Sequence, residues 1–355
     1  TSWGVNLSQV LYDHRVWKRL NIAEKQALRA GVDYEAQKQS LIVRVAEAYF
    51  NVLAAQDGVE FSQAEMKAIE QELEQTKQRF EVGLIAVTDL HEAQARYDQA
   101  LADNIQTQNT LDNRVEELRE ITNEYYSELS PVVDSFELRS PEPKSAQEWM
   151  DKAKATNLTL QARMIDKEVA QETIKLNFAD HYPTLNLNAR YNDSENDVDV
   201  TQGGQTAART QFNVQESIGI SFNLPIYSGG AMQSRVREAQ HLFQQAVHNM
   251  ESAHRSAIRQ TRSAYLGILA SISSVKALSQ STVSSKAALE ATQAGFEVGT
   301  RTIVDVLNST RTLYNAQRNL ARARYDYILN TLRLKQAAGT LTESDVKQVT
   351  ALLTN

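Results

Sequence analysis

The 355-residue chain has no cysteine and only five prolines. The prolines stand at positions 131, 141, 143, 183 and 225, which leaves 14–130 and 226–355 without the residue that most strongly breaks helices. Long helices are therefore predicted in both stretches. The absence of cysteine is compatible with an oxidising compartment but does not by itself indicate one.

Several other features are missing. The net charge is −7 and no basic patch is interleaved with aromatic residues, so a nucleic-acid partner is not expected. No run of about 18 apolar residues exists, which excludes a predicted membrane-spanning helix. The sequence starts at Thr1 without a signal-like segment, and we expect a processed or shortened chain.

No catalytic constellation is present either. His241 and His248 could share a helix face, but no acidic or cysteine partner stands at metal-ligand spacing. No glycine-rich phosphate loop follows a strand pattern. A polar stretch holds alternating acids, but it lacks the Gly and Glu of a calcium loop; these acids are Asp193, Glu195, Asp197 and Asp199. We predict no enzyme activity, no cofactor and no resident metal.

What the sequence does contain is a long internal repeat. FEVGLIAVTD at 80–89 returns as FEVGTRTIVD at 296–305, and AYFNVLAA from Ala48 returns as AYLGILAS from Ala264, both with an offset of 216. A period this long indicates a duplicated hairpin of domain size rather than a solenoid of short repeats.

The repeated unit has a helical pattern. Residues from about Arg15 to Val82 favour one helix about 100 Å long, or two helices end to end. The returning arm, about 86–125, and its counterpart in the second copy carry apolar residues at heptad spacing, which predicts side-by-side packing of the arms. These positions are Leu90, Ala93, Tyr97, Ala100, Leu111 and Leu118, and then Val306, Leu313, Ala316, Leu320, Ala323, Tyr327 and Leu334. Shorter helices are predicted from about Ser145, over 156–180 and from Thr340.

Three segments alternate with period two instead. They start at Trp3, at Thr184 and at Ser217, and each runs for about ten residues, the length of a membrane-spanning β-strand. Half-buried strands of a soluble sheet are the alternative, although aromatic residues near the strand ends favour a membrane interface. The polar stretch 191–211 between the second and third strands is predicted to be a solvated loop.

The repeat also indicates what the first copy lacks. The second copy begins with a helix and a strand, whereas the first begins directly at a strand. Three strands leave two open edges, which a bilayer does not tolerate. With the absent strand restored, three subunits of four strands would close an even-numbered barrel.

Several short sequence segments resemble the TolC branch of the outer membrane efflux protein family, and they are distributed along essentially the whole chain. They include AYFNVL, TKQRFEVGLIAVTDL, ARYDQAL, ISFNLPIYSGG, AGFEVGTRTIVDVL and LYNAQRNLARARYDYILN. The resemblance implies a mainly α fold with transmembrane β: duplicated long hairpins form a trimeric α-barrel that continues a 12-stranded outer-membrane β-barrel. Each subunit supplies four strands, and this chain lacks the family's first helix and strand.

The resemblance divides the chain as follows. The segments are 1–13 (barrel strand), 14–128 (first periplasmic hairpin), 129–155 (equatorial connector), 156–181 (helix of the second copy), 182–228 (strand pair with extracellular loop), 229–338 (second hairpin) and 339–355 (C-terminal equatorial segment). The tight turns need glycine, so Gly83 and Gly299 are explained by the turns alone. The resemblance adds adaptor docking at the tips, formed by Val82, Gly83, Leu84, Val298, Gly299 and Thr300.

The family also implies a gate near the tips. Asp305 is expected to form an acidic ring at the pore constriction together with Asn308, and this ring would block cations. The gate links are expected at Thr88, Asp89, Phe296 and Arg301, with an ion pair between Asp89 and Arg301. Two residues depart from the family pattern, since Phe296 replaces a Tyr and Asn308 replaces a second Asp. A charge at the start of a helix is the structural alternative for these acids.

The implied function is the exit duct of tripartite efflux pumps and type I secretion systems, opened by an adaptor and an inner-membrane pump. The expected partners are two further copies, a periplasmic adaptor protein, an inner-membrane pump or ABC exporter, and outer-membrane lipid. The expected location is the Gram-negative outer membrane, extending into the periplasm. A soluble coiled-coil scaffold is the alternative, with the period-two segments forming a small ordinary sheet.

Overall fold

The computed structural model describes residues 1–126, 128–133, 136–202 and 205–353, with side chains described outside 198–209. Its elements are β1 (Ser2–Asp13), α1 (His14–Glu81), α2 (Val87–Thr122), α3 (Ala146–Thr156), α4 (Leu158–Phe178), β2 (Thr184–Gln202), β3 (Gln205–Asn223), α5 (Ala231–Glu297), α6 (Ile303–Ala337) and α7 (Glu343–Thr350). Two compact units result, Thr1–Asp33 with Leu160–Ala253, and Tyr34–Thr159 with His254–Asn355.

The first unit contains an antiparallel sheet in the order β1-β2-β3. The three predicted strands are confirmed, and their alternation places apolar side chains on one face. Leu7 lies opposite Ala189, and Ala189 lies opposite Ile218. Leu7 is 55% exposed and Ile218 is 80% exposed, so this apolar face has no protein cover in the described part of the chain.

The prediction of a solvated loop over 191–211 is wrong for its described residues. β2 and β3 are each 19 residues long and pair continuously from Thr184↔Asn223 to Gln202↔Gln205. The ladder satisfies the backbone, and polar side chains on both faces hid the strand period from a hydrophobicity pattern. Thr210 Oγ1, for example, donates to Asp197 Oδ1 at 2.8 Å. Residues 203 and 204, and the side chain of Asp199, lie outside the described part.

Ion pairs hold α4 antiparallel to the first turns of α1 in the same unit. Lys25 Nζ lies 2.5 Å from Glu168 Oε2, and Arg29 Nε lies 2.5 Å from Asp166 Oδ1. The cations stand on α1 and the anions on α4. This charge division fixes which faces of the two helices meet, although each exposed pair contributes little stability.

The second unit contains the helices α2, α3, α6 and α7, together with α1 from Tyr34 onward and α5 from His254 onward. Phe50, Ile268 and Tyr325 from three different helices meet in its largest apolar core, which Trp149 of α3 closes. Trp149 Nε1 donates to Pro143 O at 2.9 Å, so the proline-rich connector is tied to α3. Most of the predicted heptad residues are buried: Ala93, Ala100, Leu118, Val306, Leu313, Ala316, Ala323, Tyr327 and Leu334.

The helix boundaries differ little from the predicted ones. α1 is one continuous helix of 68 residues rather than two. α2 ends at Thr122 because Asn123 adopts a left-handed conformation (φ 56°) and its N–H donates to Arg119 O. Within the described residues, no helix is both long and apolar enough to cross a membrane.

Candidate functional site: the two hairpin tips

The first tip joins α1 to α2 through a turn that needs glycine. Gly83 has φ 74°, its N–H donates to Phe80 O at 2.9 Å, and the Leu84 N–H donates to Arg79 O at 2.9 Å. This pair of bonds is a Schellman motif, which satisfies the last carbonyls of a helix. The turn therefore ends α1 and reverses the chain within a few residues.

The second tip repeats this geometry 216 residues later. Gly299 has φ 76°, its N–H donates to Phe296 O at 3.1 Å, and the Thr300 N–H donates to Gly295 O at 2.8 Å. A side chain at Gly295 would meet Arg301, whose Cγ lies 2.8 Å from the position of a Cβ atom there. The sequence repeat thus encodes two equal turns, as predicted.

Both tips present apolar side chains to their surroundings. Val82, Leu84 and Val298 are each 70–75% exposed, and Thr300 is also exposed. Branched and long aliphatic side chains at a turn have no role in the turn geometry itself, which needs only the glycine. The exposed residues are therefore available to a partner.

The two tips differ at the helix that follows. Thr302 caps α6: its Oγ1 accepts from Asp305 N at 3.3 Å, and the Thr302 N–H donates to Asp305 Oδ2 at 3.0 Å. These reciprocal bonds form a capping box. In the first copy Ala86 takes the place of Thr302, and α2 has no side-chain cap. Sequence reasoning missed the box, although Thr-x-x-Asp is visible at 302–305.

The cap changes the ionisation of Asp305. Hydrogen bonds from the Thr302 backbone and hydroxyl, together with the nearby Arg301 charge, lower the pKa of the Asp305 carboxyl below its usual value of 3.8. A carboxylate that accepts such bonds stays charged under physiological conditions. The structure thus shows that Asp305 caps the start of α6, which was the structural alternative to a pore ring. The cap keeps the carboxylate ionised, so it does not exclude the pore ring.

Phe296 lies in the core beside the tips. It is buried, and the Arg79 guanidinium lies 4.3 Å above its ring centroid. This cation–π contact joins α1 to α5. Phe296 therefore links the two hairpins of one chain without a hydroxyl group.

Among the described residues, the other predicted gate residues form no side-chain hydrogen bond or ion pair with one another. Within the described residues of one chain, neither Asp89 nor Arg301 forms an ion pair, so their pairing stays a prediction. Thr88 is exposed, and Asn308 is half-buried one turn after Asp305.

One half-buried acid near the tips was not predicted from the sequence. Glu72 on α1 contacts Gln293 of α5, and its Oε2 has no hydrogen-bond partner in the described structure. Burial raises the pKa of this carboxyl. No sequence signal distinguishes Glu72 from the other glutamates of α1, because its contact with Gln293 depends on packing against α5.

Comparison with known proteins identifies the family. The family model described as "Outer membrane efflux protein" matches residues 1–124 and 149–340, which is most of the chain. The chain belongs to the outer membrane efflux protein family. TolC of Vibrio cholerae is 45% identical over 99% of this chain and 79% of the relative, and TolC of Escherichia coli K12 is 44% identical over 98% and 71%.

The solved structures agree on the fold. The Campylobacter jejuni CmeC outer membrane channel superimposes with a TM-score of 0.81 at 18% identity, covering 99% of this chain and 74% of that one. A CusC structure superimposes with a TM-score of 0.76 at 19% identity, covering 95% and 77%. The shared fold is mostly helical, with long helices and a small antiparallel sheet.

This family member is a TolC-like outer-membrane efflux channel, located in the outer membrane, and not an enzyme. A more distant relative is the alkaline protease secretion protein AprF of Pseudomonas aeruginosa, 29% identical over 98% of this chain and 71% of the relative. Family membership rules out the alternative of a soluble coiled-coil scaffold.

Proposed function

We propose that the chain forms a homotrimeric channel-tunnel that serves as the exit duct of tripartite efflux pumps and type I secretion systems. The observation that carries this proposal is the exposed apolar face of the sheet. Side chains as large as Ile218 (80% exposed) and Ile220 (65% exposed) would be an aggregation hazard in water but suit contact with lipid.

The sheet also argues for closure by other copies. The outer edges of β1 and β3 carry unpaired backbone groups in the described structure, and such edges do not occur in a bilayer. With the family's first strand restored, each copy supplies four strands, and three copies close a 12-stranded β-barrel. The 19-residue strands exceed the 9–11 residues that span a membrane, so the polar half of the β2–β3 hairpin extends outside.

The long helices would then continue the barrel as a periplasmic α-barrel. Its parts follow the segment boundaries predicted from the sequence: hairpins at 14–128 and 229–338, the helix at 156–181, and an equatorial belt from 129–155 and 339–355. The hydrogen bond from Trp149 to Pro143, both within 129–155, supports a folded belt rather than a loose linker.

The hairpin tips are the proposed docking site for a periplasmic adaptor protein. In support, both turns have the same geometry and expose aliphatic residues, so a trimer would offer six similar tips. An inner-membrane pump or ABC exporter would act through this adaptor. The secretion role rests on relatives such as AprF, whose name refers to protease secretion.

The gate is proposed at the start of α6. Three copies of Asp305 around the axis would form an acidic ring, with Asn308 one turn further along the helix. The lowered pKa of Asp305 supports a ring that stays charged. Links between Asp89 or Thr88 of one copy and Arg301 of another would hold the tips together, and Phe296 contributes the contact with Arg79.

Purification and electrical recording test the trimer and the duct together. The expected result is a trimer that leaves outer membranes only with detergent and that conducts in planar bilayers. A matched control is Ile218→Asp, which places a charge on the lipid face and should prevent insertion while leaving helix content unchanged. A purified chain that stayed monomeric and soluble without detergent would overturn the proposal.

A further inference from the structure

We propose that α2 of one copy binds α5 of the next copy in the trimer through complementary charge, with Asp112 opposite the partner's Lys276. This inference rests on the proposed trimer and assigns the seam between its subunits. It concerns the part of the hairpins above the tips, 107–122 on α2 and 262–283 on α5.

The side-by-side order of helices in the second unit leaves two free edges. Leu118 of α2 packs on Val52 of α1, Tyr325 Oη of α6 donates to Asp57 Oδ2 of α1 at 2.6 Å, and Asn330 Nδ2 of α6 donates to Ser271 Oγ of α5 at 3.0 Å. At the level of these contacts the order is therefore α2, α1, α6, α5, whereas nearer the tips α2 also approaches α6 and α1 contacts α5. Above the tips α2 and α5 are the outer helices, and each presents a different edge.

These edges carry opposite charge. α2 as a whole has eight acidic and three basic residues, a net charge of −5, and its seam range 107–122 has four acidic and two basic residues, a net charge of −2. Between His254 and Leu289, α5 has five basic residues and no acidic one, a net charge of +5 apart from the histidine. Within the described residues, Arg259, Arg262, Lys276 and Lys286 have no ion-pair partner, and all four are exposed.

The contacts inside one chain also give the register. On one side, Gly58 lies against Thr107 and Val52 packs on Leu118, so Asp112 is level with the part of α1 that includes Asp57. Asp57 binds Tyr325 of α6.

On the other side, Asn330 binds Ser271 and Ser309 binds Thr292. From one bond to the other, α6 and α5 cover the same number of residues in opposite directions. Tyr325 precedes Asn330 by as many residues as Lys276 follows Ser271, so Tyr325 is level with Lys276. Asp112 and Lys276 therefore lie at the same height on the two free edges.

In a ring with rotational symmetry, residues at the same height on the two free edges come into contact between neighbouring copies. A closed ring is generated by rotation without translation, so every residue keeps its height from copy to copy when the helices run along the axis. Two different edges of one chain then meet heterologously, α2 on α5, three times around the ring. Asp112 and the partner's Lys276 meet at each seam.

An apolar pair at the next level supports the same register. Asn104 of α2 accepts a bond from Ser62, and Arg318 binds Glu65 one turn further along α1. The spacing of the α6–α5 bonds places Arg318 level with Val283. Ile105, beside Asn104, is 63% exposed, and Val283 is 61% exposed. The seam would cover both side chains.

Cysteine cross-linking tests the register directly, because the chain has no cysteine of its own. The variant Asp112→Cys/Lys276→Cys should form disulfide-linked trimers under mild oxidation, seen on non-reducing gels. Each single variant, and Asp112→Cys/Lys286→Cys as a control on the same helix, should stay largely unlinked. A non-specific amine cross-linker on the unmodified protein reports the trimer itself.

The outcomes separate the seam from the proposed function. Trimers that the amine reagent captures but that the Asp112/Lys276 pair does not link would overturn the seam and leave the duct standing. No trimer with either reagent would overturn both. As a second readout, Asp112→Lys and Lys276→Asp should each reduce the fraction of trimer that survives dilution into detergent buffer without salt. The double exchange should restore this fraction. No restoration would contradict pairing of these two residues.

Discussion

Thr302 and Asp305 bind each other at the start of α6, with the Thr302 N–H 3.0 Å from Asp305 Oδ2 and the Asp305 N–H 3.3 Å from Thr302 Oγ1. The first copy of the repeat has no such pair, because Ala86 occupies the position of Thr302. The two hairpins therefore share their turns but differ in how firmly the helix after each turn begins.

Removing the cap is expected to loosen the second hairpin. Thr302→Ala should lower the free energy of unfolding by about 1 kcal/mol, because it leaves the first N–H groups of α6 without a side-chain acceptor. Thermal unfolding followed by circular dichroism measures the change. The matched variant Ala86→Thr would complete a Thr-x-x-Asp box with Asp89 and should stabilise α2. Unchanged stability of Thr302→Ala would contradict the capping role of Thr302.

The two tip glycines are expected to resist substitution. Gly299→Ala should destabilise the protein by about 1–2 kcal/mol, because its φ of 76° is costly for any residue with a Cβ atom. No atom lies within 4 Å of the added Cβ, so the backbone alone accounts for the cost.

Gly31 provides the control for that substitution. It lies inside α1 with equally open surroundings but in helical conformation. Gly31→Ala should stabilise the helix by about 0.5–1 kcal/mol. If both variants shifted the unfolding midpoint in the same direction, the turn geometry described here would be wrong.

Asp57 is expected to make stability depend on pH. Burial raises the pKa of its carboxyl above 3.8, against the lowering effect of the Tyr325 hydroxyl. A carboxyl whose folded pKa is raised contributes stability that is complete below the unfolded pKa and is lost as pH rises through the folded pKa. The stability of the unmodified protein should therefore fall over that range.

Two variants isolate this effect. Asp57→Asn should flatten the fall in the free energy of unfolding above pH ~4, measured by denaturant titration at a series of pH values. Tyr325→Phe removes the hydrogen bond that lowers the pKa, so the fall should extend to higher pH. A profile for Asp57→Asn that runs parallel to that of the unmodified protein would exclude this carboxyl as the cause.

The sequence predicted those features that depend on neighbours along the chain. The turns at Gly83 and Gly299, the heptad residues and the apolar strand segments follow local rules of periodicity and backbone conformation. The strand pairing of the described residues of 191–211 did not, because successive residues such as Asn196 and Asp197, which point to opposite faces, are both polar and leave no hydrophobic period.

In the candidate site, too, local features could be predicted from the sequence and contacts between distant helices could not. The tips themselves were foreseeable from the repeat, and the Thr302–Asp305 box was readable but overlooked, since Asp305 was assigned to the pore. The contact of Arg79 with Phe296 and the burial of Glu72 were not readable, because each depends on how α5 packs against α1. Packing between helices distant in sequence leaves no local signature.

Block of single-channel current by a trivalent cation tests the proposed gate most directly. The cation is added on the side of the hairpin tips to trimers in a planar bilayer. Asp305→Asn removes the proposed ring charge, Thr302→Ala removes only the cap, and Asn308→Asp adds a second ring of carboxylates. The unmodified channel and Thr302→Ala should both be blocked, with the block of Thr302→Ala lost at a higher pH as the solution is acidified, because the cap lowers the pKa of Asp305. Asn308→Asp should be blocked at lower cation concentration and Asp305→Asn should conduct freely; unchanged block of Asp305→Asn would contradict the assignment of the gate to the start of α6.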